Sequence, residues 1–82
     1  MENEIKKGTK VSILGAGNVG ATIAYTLAAS GICSEIVLID INKDKAEGEA
    51  MDIRQGLAFC PTVKVSSADY DAAADSDIVV VT

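Results

Sequence analysis

The sequence predicts an α/β protein built on a doubly wound parallel sheet, and three observations lead to this fold class. Of the 82 residues, 49% are apolar but only 4% are aromatic, so the core must consist of Val, Ile, Leu and Ala, as in a sheet that is covered on both faces. Short β-branched runs alternate with segments of helical periodicity. A glycine turn, GAGNVG, separates the first run from the first helix. This arrangement is typical of nucleotide-binding α/β domains.

The first half of the chain contains a strand, a helix and a second strand. The first strand is predicted over residues 11–14, and the helix over residues 18–30, with Gly31 ending it as a C′ residue. A row of small residues on one helix face would let the helix lie close to the sheet; the row consists of Gly20, Ala24 and Ala28. The second strand is predicted over residues 35–39. Because a whole helix connects the two strands, they should be parallel, with a right-handed crossover.

The second half is predicted to add a helix and two strands. Asn42 is expected to cap a helix that reaches about residue 57. Gly48 in its middle costs about 1 kcal/mol relative to Ala, which indicates either close approach to the sheet or another subunit, or a tolerated surface glycine. An edge strand follows at residues 63–65, then a loop at 66–76 with one helical turn around 71–74. The fourth strand covers residues 77–82, and the predicted strand order is 3-2-1-4.

Two parts of the chain are distinguished by composition. Residues 1–8 are polar and charged and are expected to form a flexible leader. Residues 9–82 are expected to form the N-terminal part of a nucleotide-binding domain that is truncated after its fourth strand. That strand has the composition of a central strand, yet the sequence contains nothing to cover it. We therefore expect the chain to be the first half of a larger protein.

Charge, hydropathy and cysteine content exclude several classes of function. A net charge of −5 argues against a nucleic-acid partner, which would require a basic surface. The longest apolar run, at residues 78–81, is far too short to cross a membrane, and there is no signal peptide. Cys33 and Cys60 have no CxxC neighbour and the chain has no His, so we expect reduced thiols, no metal site and a cytoplasmic location.

The glycine turn and an acidic residue after it indicate a dinucleotide site. Glycines at 15, 17 and 20 allow the backbone to double back and to approach a bound group. The following helix points its free N–H groups at the same place, where an anion would bind. Asp40 lies 20 residues after Gly20, at the end of the second strand, where a carboxylate would bind ribose hydroxyls and favour NAD over NADP. Asp40 could instead cap the next helix.

The sequence resembles the N-terminal part of the L-lactate dehydrogenase and malate dehydrogenase superfamily over residues 9–82. The resemblance rests on the glycine turn, the offset to Asp40, and the segments GEAMDI and ADSDIVVVT. The second helix is more similar to bacterial lactate dehydrogenases than to malate dehydrogenases. The resemblance implies a Rossmann-type fold and NAD as the cofactor. The residues that it assigns to the cofactor are Gly15, Gly17, Asn18, Val19, Gly20, Asp40, Ile41 and Thr82.

Within this set, the resemblance implies a specific role for each part. The three glycines would shape the turn, and the main-chain N–H groups of Asn18 and Val19 would face the pyrophosphate. Asp40 would bind the adenosine ribose and repel the 2′-phosphate of NADP. Ile41 and the segment that opens at Thr82 would pack on the adenine.

The resemblance also implies a reaction that these residues cannot perform. The family transfers a hydride between nicotinamide and C2 of a 2-hydroxy acid, and its lactate dehydrogenases interconvert lactate and pyruvate in this way. A His paired with an Asp moves the proton, and two Arg residues bind and polarise the substrate. The chain has no His, and its one Arg, Arg54, lies on a helix. We therefore assign no catalytic residue, not even Asp52 of the MDI segment, and expect residues 1–82 alone to be inactive.

In this family the second helix packs against a partner subunit, so the full-length protein should be a homodimer or homotetramer. Gly48, Met51 and Asp52 are expected near the dimer contact. Three alternatives remain open: part of a malate dehydrogenase, a stand-alone nucleotide-binding module, or an interaction fragment that associates through the apolar edge at residues 78–81.

Overall fold

The structure, a computed structural model, describes residues 9–56 and 63–82. Four parallel strands form one sheet in the order β3-β2-β1-β4. The strands are β1 (Lys10–Leu14), β2 (Glu35–Ile39), β3 (Lys64–Ser67) and β4 (Ile78–Val81). The helices are α1 (Asn18–Ser30), α2 (Lys43–Gly56) and a 3₁₀ helix (Tyr70–Asp75). The predicted fold class and strand order are confirmed, while the expected leader and the predicted end of the second helix at Leu57 lie outside the described residues.

The register of β1, β2 and β4 places their carboxyl ends level with one another. Leu14, the last residue of β1, pairs with Ile39 of β2 on one side and with Val81 of β4 on the other. Each of these residues ends its strand. The residues that follow, Gly15, Asp40 and Thr82, are therefore brought to the same edge of the sheet, which is where parallel α/β proteins bind their ligands.

The core lies between the sheet and one face of each α-helix. β1 and β2 contribute the largest fully buried apolar side chains, among them Ile13, Ile36 and Leu38. Helix α1 buries the predicted small row, Gly20, Ala24 and Ala28, so its axis lies close to the strands. Helix α2 buries Ala46, Ala50 and Ile53. Small side chains on both helices therefore let their backbones lie close to the sheet.

Local signals end α1 and begin α2, as the sequence predicts. Gly31 has φ 70° and its N–H donates to the carbonyls of Ala28 and Leu27, so it closes α1 in the left-handed conformation. At the start of α2, the Asn42 side chain accepts a hydrogen bond from the Lys45 N–H at 3.0 Å. The predicted cap is therefore confirmed.

The predictions for the last third of the chain need correction. Strand β3 begins at Lys64 and ends at Ser67, so Val63 lies outside it, and the serines at 66 and 67 belong to the strand instead of the loop. The strand extends because the Ala68 N–H donates to the Leu38 carbonyl at 3.1 Å and the Ser67 hydroxyl donates to Glu47 of α2 at 2.7 Å. The single helical turn is a longer 3₁₀ helix, and β4 is one residue shorter at each end than predicted.

Lys10 attaches the β3–β4 connection to the amino end of β1. Its side chain is 15% exposed, and the ammonium donates to the Ala72 carbonyl at 2.7 Å and to the Asp75 carboxylate. The main-chain N–H of Lys10 donates to the Asp77 carboxylate at 2.7 Å. These bonds hold the 3₁₀ helix and the start of β4 in place. They thereby help to position the carboxyl end of β4 beside the glycine turn, which follows the carboxyl end of β1.

Four further observations concern the predictions about membrane spans, metal sites, thiols and the exposed strand β4. Within 9–56 and 63–82, no helix is long and apolar enough to cross a bilayer, and no three metal-binding side chains gather into one group. Cys33 is a buried free thiol whose pKa is raised by desolvation; Cys60 lies outside the described residues. β4 is an edge of the described sheet, with Val81 76% exposed, and its pairing with another chain stays a prediction.

Candidate functional site

The first and third glycines of the turn are required by backbone geometry. Gly15 has φ 104°, a conformation that L side chains rarely adopt. Its N–H donates to the Ile39 carbonyl at 2.7 Å, which ties the turn to β2. A Cβ at Gly20 would lie 1.9 Å from the Gly15 carbonyl oxygen. The start of α1 therefore packs directly against the turn, where no side chain fits.

The second glycine borders open space at the start of α1. A Cβ at Gly17 would meet nothing within 4 Å among the described residues. Gly17 is the N-cap of α1 but provides no side-chain cap, and the first turn of the helix has no acidic residue. Helix geometry leaves the first N–H groups without partners in the helix, and the helix dipole adds positive potential there. Space and electrostatics thus both fit a bound phosphate.

The Asp40 carboxylate connects the glycine turn to the start of α2. Its Oδ2 accepts a hydrogen bond from the Ala16 N–H at 2.7 Å, and its Oδ1 accepts one from the Asn42 N–H at 2.9 Å. These bonds, first that from Ala16 and then that from Asn42, lower the pKa of Asp40. The side chain is therefore ionised at neutral pH. Because a carboxylate can accept about four hydrogen bonds, it can still accept two from ribose hydroxyls.

Asp40 is not the cap of α2, which was the alternative role considered for it. The N-cap of α2 is Asn42, whose side chain bonds the third N–H of the helix. Asp40 instead bonds the N–H of Asn42, before the helix begins. The carboxylate thus orders the β2–α2 connection and faces the sheet edge, which leaves its remaining lone pairs available for a ligand.

A cleft of about 300 Å³ opens at this edge of the sheet. It is lined by Leu14, Gly15, Asp40, Ile41, Tyr70, Val81 and Thr82. Its volume lies at the lower end of the range for small-molecule pockets, which suits one nucleotide portion of a larger ligand. The Ile41 side chain is 87% exposed, so its apolar surface is available to pack on a flat ring. Four residues that the sequence predicts for the cofactor, Gly15, Asp40, Ile41 and Thr82, thus line one cleft.

Two of the predicted residues lie in other surroundings. The Asn18 residue lines a different cleft of about 470 Å³ between α1 and α2, and the Val19 side chain is 64% exposed. Neither residue lines the smaller cleft, so only their main-chain N–H groups, in the first turn of α1, suit the predicted phosphate contact. The role of Gly20 is steric, because it is buried against Gly15.

Tyr70 is a cleft residue that was not predicted from the sequence. It begins the 3₁₀ helix, is 52% exposed and lines the same cleft as Asp40 and Ile41. The available signal is positional: Tyr70 follows the carboxyl end of β3, and segments after parallel strands gather at one edge. An aromatic ring there offers a surface on which a base can stack.

Stability is expected to fall in acid because three carboxylates have lowered pKa values. Hydrogen bonds from Ala16 to Asp40, from Ser67 to Glu47 and from Lys10 to Asp75 are the largest causes. The unfolded chain therefore binds protons at higher pH than the folded chain does. The contribution to stability is full above the ordinary carboxyl pKa of about 4 and is lost as pH falls through the lower folded values.

Urea unfolding followed by circular dichroism at pH 7, 5 and 3 measures this dependence. The free energy of unfolding should change little from pH 7 to 5 and should decrease toward pH 3. Asp75→Asn should make the decrease smaller. An unchanged free energy from pH 7 to 3 would contradict the assignment.

The parallel sheet, the uncapped glycine turn and the acid at the end of β2 define a dinucleotide-binding domain of the Rossmann type. The residues fit NAD, since open space at Gly17 admits a pyrophosphate and an ionised Asp40 opposes a 2′-phosphate. The chain belongs to the lactate/malate dehydrogenase family: the family model for the NAD binding domain matches residues 9–82.

Individual relatives carry lactate dehydrogenase names, as the resemblance predicts. The chain is 54% identical over 77 residues to an L-lactate dehydrogenase of Clostridium perfringens, covering 94% of this chain and 24% of the relative. It is 58% identical over 73 residues to one of Thermoanaerobacter sp., covering 89% and 24%. A crystal structure of a minor L-lactate dehydrogenase from Enterococcus mundtii in the ligands-bound form superposes with a TM-score of 0.86 at 43% identity, covering 92% and 24%. The chain thus spans about a quarter of the length of these relatives.

Proposed function

We propose that residues 9–82 form the N-terminal, ADP-binding part of an L-lactate dehydrogenase. The observation that carries this proposal is the joint position of Gly15, Asp40, Ile41 and Thr82 around one cleft at the carboxyl edge of the sheet. The cleft can take the adenosine, while the adjoining start of α1 takes the pyrophosphate. A cytoplasmic location is part of the proposal, and the free thiol of Cys33 supports it.

In the longer protein, NAD would accept or give the hydride that interconverts lactate and pyruvate. The residues of this chain bind and orient the cofactor. The Asp40 carboxylate accepts hydrogen bonds from the ribose hydroxyls and disfavours a 2′-phosphate by charge repulsion. The N–H groups of Asn18 and Val19 bind the pyrophosphate, and Ile41 and Tyr70 cover the adenine. Lactate is favoured over malate because the relatives described above are named for lactate.

The two side chains considered for catalysis, Arg54 and Asp52, have other surroundings in the structure. The Arg54 guanidinium donates to the Val65 carbonyl at 2.8 Å and pairs with Glu47 at 3.1 Å, so it fastens α2 to β3. Asp52 lines the cleft between α1 and α2 instead of the cleft at the sheet edge. Proton transfer and substrate binding are therefore assigned to residues outside this chain.

Calorimetric titration of the 82-residue chain with ADP, NAD and NADP tests the binding role. Binding of ADP and NAD with weaker binding of NADP is expected, and a mixture of the chain with NADH and pyruvate should show no oxidation of NADH. Absence of any ADP or NAD affinity would contradict the proposal, and measurable turnover would contradict the assignment of catalysis to other residues.

Tyr70→Ala should lower ADP affinity by about tenfold, since stacking on an aromatic ring contributes about 1–3 kcal/mol.

We further propose that α2 contributes to a homodimer contact in the longer protein. Met51 is 45% exposed on α2, and Gly48 borders open space, since a Cβ there would meet nothing within 4 Å in the described part of the chain. Gly48 therefore does not approach the sheet, which leaves a partner subunit or a plain surface position. In sedimentation of the longer protein, Met51→Lys should shift the dimer toward monomer. An unchanged dimer would remove α2 from the contact.

A further inference from the structure

The peptide unit between Gly15 and Ala16 is held at both of its polar ends by side chains from the neighbouring strands. Its carbonyl oxygen, on Gly15, lies 3.1 Å from the Thr82 hydroxyl, which donates to it. Its N–H, on Ala16, donates to the Asp40 carboxylate at 2.7 Å. Thr82 follows β4 and Asp40 follows β2, so the two side chains reach the turn from opposite sides of β1.

This peptide unit needs an external restraint because of the glycine beside it. Gly15 has φ 104°, and a glycine can change conformation with little steric cost. A rotation of the peptide would exchange the directions of its carbonyl and N–H. The Gly15 carbonyl also packs against Gly20 of α1, where a Cβ would lie 1.9 Å from the oxygen. The direction of this one carbonyl therefore sets how α1 meets the turn.

The Thr82 hydroxyl lies at the centre of this contact. A Cβ at Gly15 would lie 2.7 Å from Thr82 Oγ1, and a Cβ at Gly20 would lie 3.3 Å from it. The hydroxyl also lies 3.3 Å from the Leu14 carbonyl, which already accepts the Thr82 N–H at 3.0 Å. The first and third glycines thus leave the space that this hydroxyl needs in order to reach the Gly15 carbonyl.

We propose that Thr82 is a positioning residue for the pyrophosphate: together with Asp40 it fixes the Gly15–Ala16 peptide unit, and so holds the N–H groups at the start of α1 in their phosphate-binding arrangement. The inference rests on the proposed NAD binding. It assigns the hydroxyl a role without contact to the ligand, and it assigns Asp40 a second role besides ribose binding.

Thr82→Val tests the proposal because it removes the hydroxyl and keeps the branched shape. ADP affinity should fall about fivefold to tenfold, the effect of losing one hydrogen bond, while adenosine, which has no phosphate, should bind within about twofold of the parent chain. Thr82→Ser restores the hydroxyl and should restore ADP affinity. Thr26→Val is the matched control, since Thr26 is an exposed residue of α1 away from the turn. Unchanged ADP affinity in Thr82→Val would overturn the proposal.

Amide hydrogen exchange without ligand keeps the inference separate from the proposed function. Thr82→Val should speed the exchange of the Ala16 amide about tenfold, with no change at Gly31, which caps the far end of α1. If the parent chain binds no ADP, the proposed function fails, but faster exchange at Ala16 would still support the restraint. Equal exchange in the parent and in Thr82→Val would overturn the restraint whatever the result with ADP.

Discussion

Gly20→Ala is expected to destabilise the chain by about 3 kcal/mol or more, enough to unfold a domain of this size in part or in full. The added Cβ would lie 1.9 Å from the Gly15 carbonyl oxygen. The Gly15 backbone cannot move away without loss, because its N–H donates to the Ile39 carbonyl and its carbonyl accepts from the Thr82 hydroxyl. The turn would have to open or α1 would have to shift away from the sheet. Urea unfolding followed by circular dichroism measures the loss.

Gly48→Ala is the matched control, since it is the same chemical change in the interior of the other helix. A Cβ at Gly48 would meet nothing within 4 Å in the described ranges, and the position is exposed. Alanine there should stabilise the chain by about 0.5–1 kcal/mol through helix propensity. The two substitutions should therefore have opposite signs. Similar losses at both positions would show that packing against Gly15 is not the cause.

Asp40→Ser is expected to lower NAD affinity by about tenfold to a hundredfold, since hydrogen bonds to a charged group contribute about 1.5–3 kcal/mol. NADP should lose less, because the substitution also removes a negative charge that opposes the 2′-phosphate. The ratio of NAD to NADP affinity should consequently fall. Calorimetric titration of the variant with both cofactors gives this ratio directly.

Asp52→Ser removes the same charge from an exposed position on α2 that lines the other cleft. It should leave the ratio of the two affinities within about twofold of the parent, because exposed charges at a distance are screened by salt. If Asp40→Ser left the ratio unchanged as well, ribose recognition would have to be assigned to another residue.

The parts of the fold that short-range signals determine were predictable from the sequence. Gly31 ends α1 where its left-handed conformation is needed, and Asn42 caps α2 through its own side chain. The strand order follows from the crossovers and from the composition of each strand. The position of Asp40 at the sheet edge follows from the offset between the turn and the end of β2.

The remainder depends on contacts between residues that are distant in sequence. Strand β3 extends to Ser67 because that residue bonds Glu47, 20 residues earlier. The Thr82 hydroxyl reaches Gly15 across 67 positions, and Tyr70 enters the cleft because Lys10 anchors the other end of the 3₁₀ helix. Periodicity and turn chemistry contain no information on such pairings, which appear only once the sheet is assembled.

The two α-helices differ in how they begin, and this difference links stability to binding. Helix α2 has a side-chain cap and an acidic residue, Asp44, in its first turn, whereas α1, whose N-cap is Gly17, has neither. In the proposed site, a phosphate bound at the first turn of α1 would supply part of the stability that α1 lacks in the ligand-free chain, so the ligand would also raise the unfolding temperature. A serine at position 17 would cap α1 with its hydroxyl and stabilise the ligand-free protein. The same hydroxyl would compete with a phosphate for the first N–H groups of the helix, a trade-off common at functional sites. Under the proposed function, Gly17 leaves these N–H groups free for the cofactor.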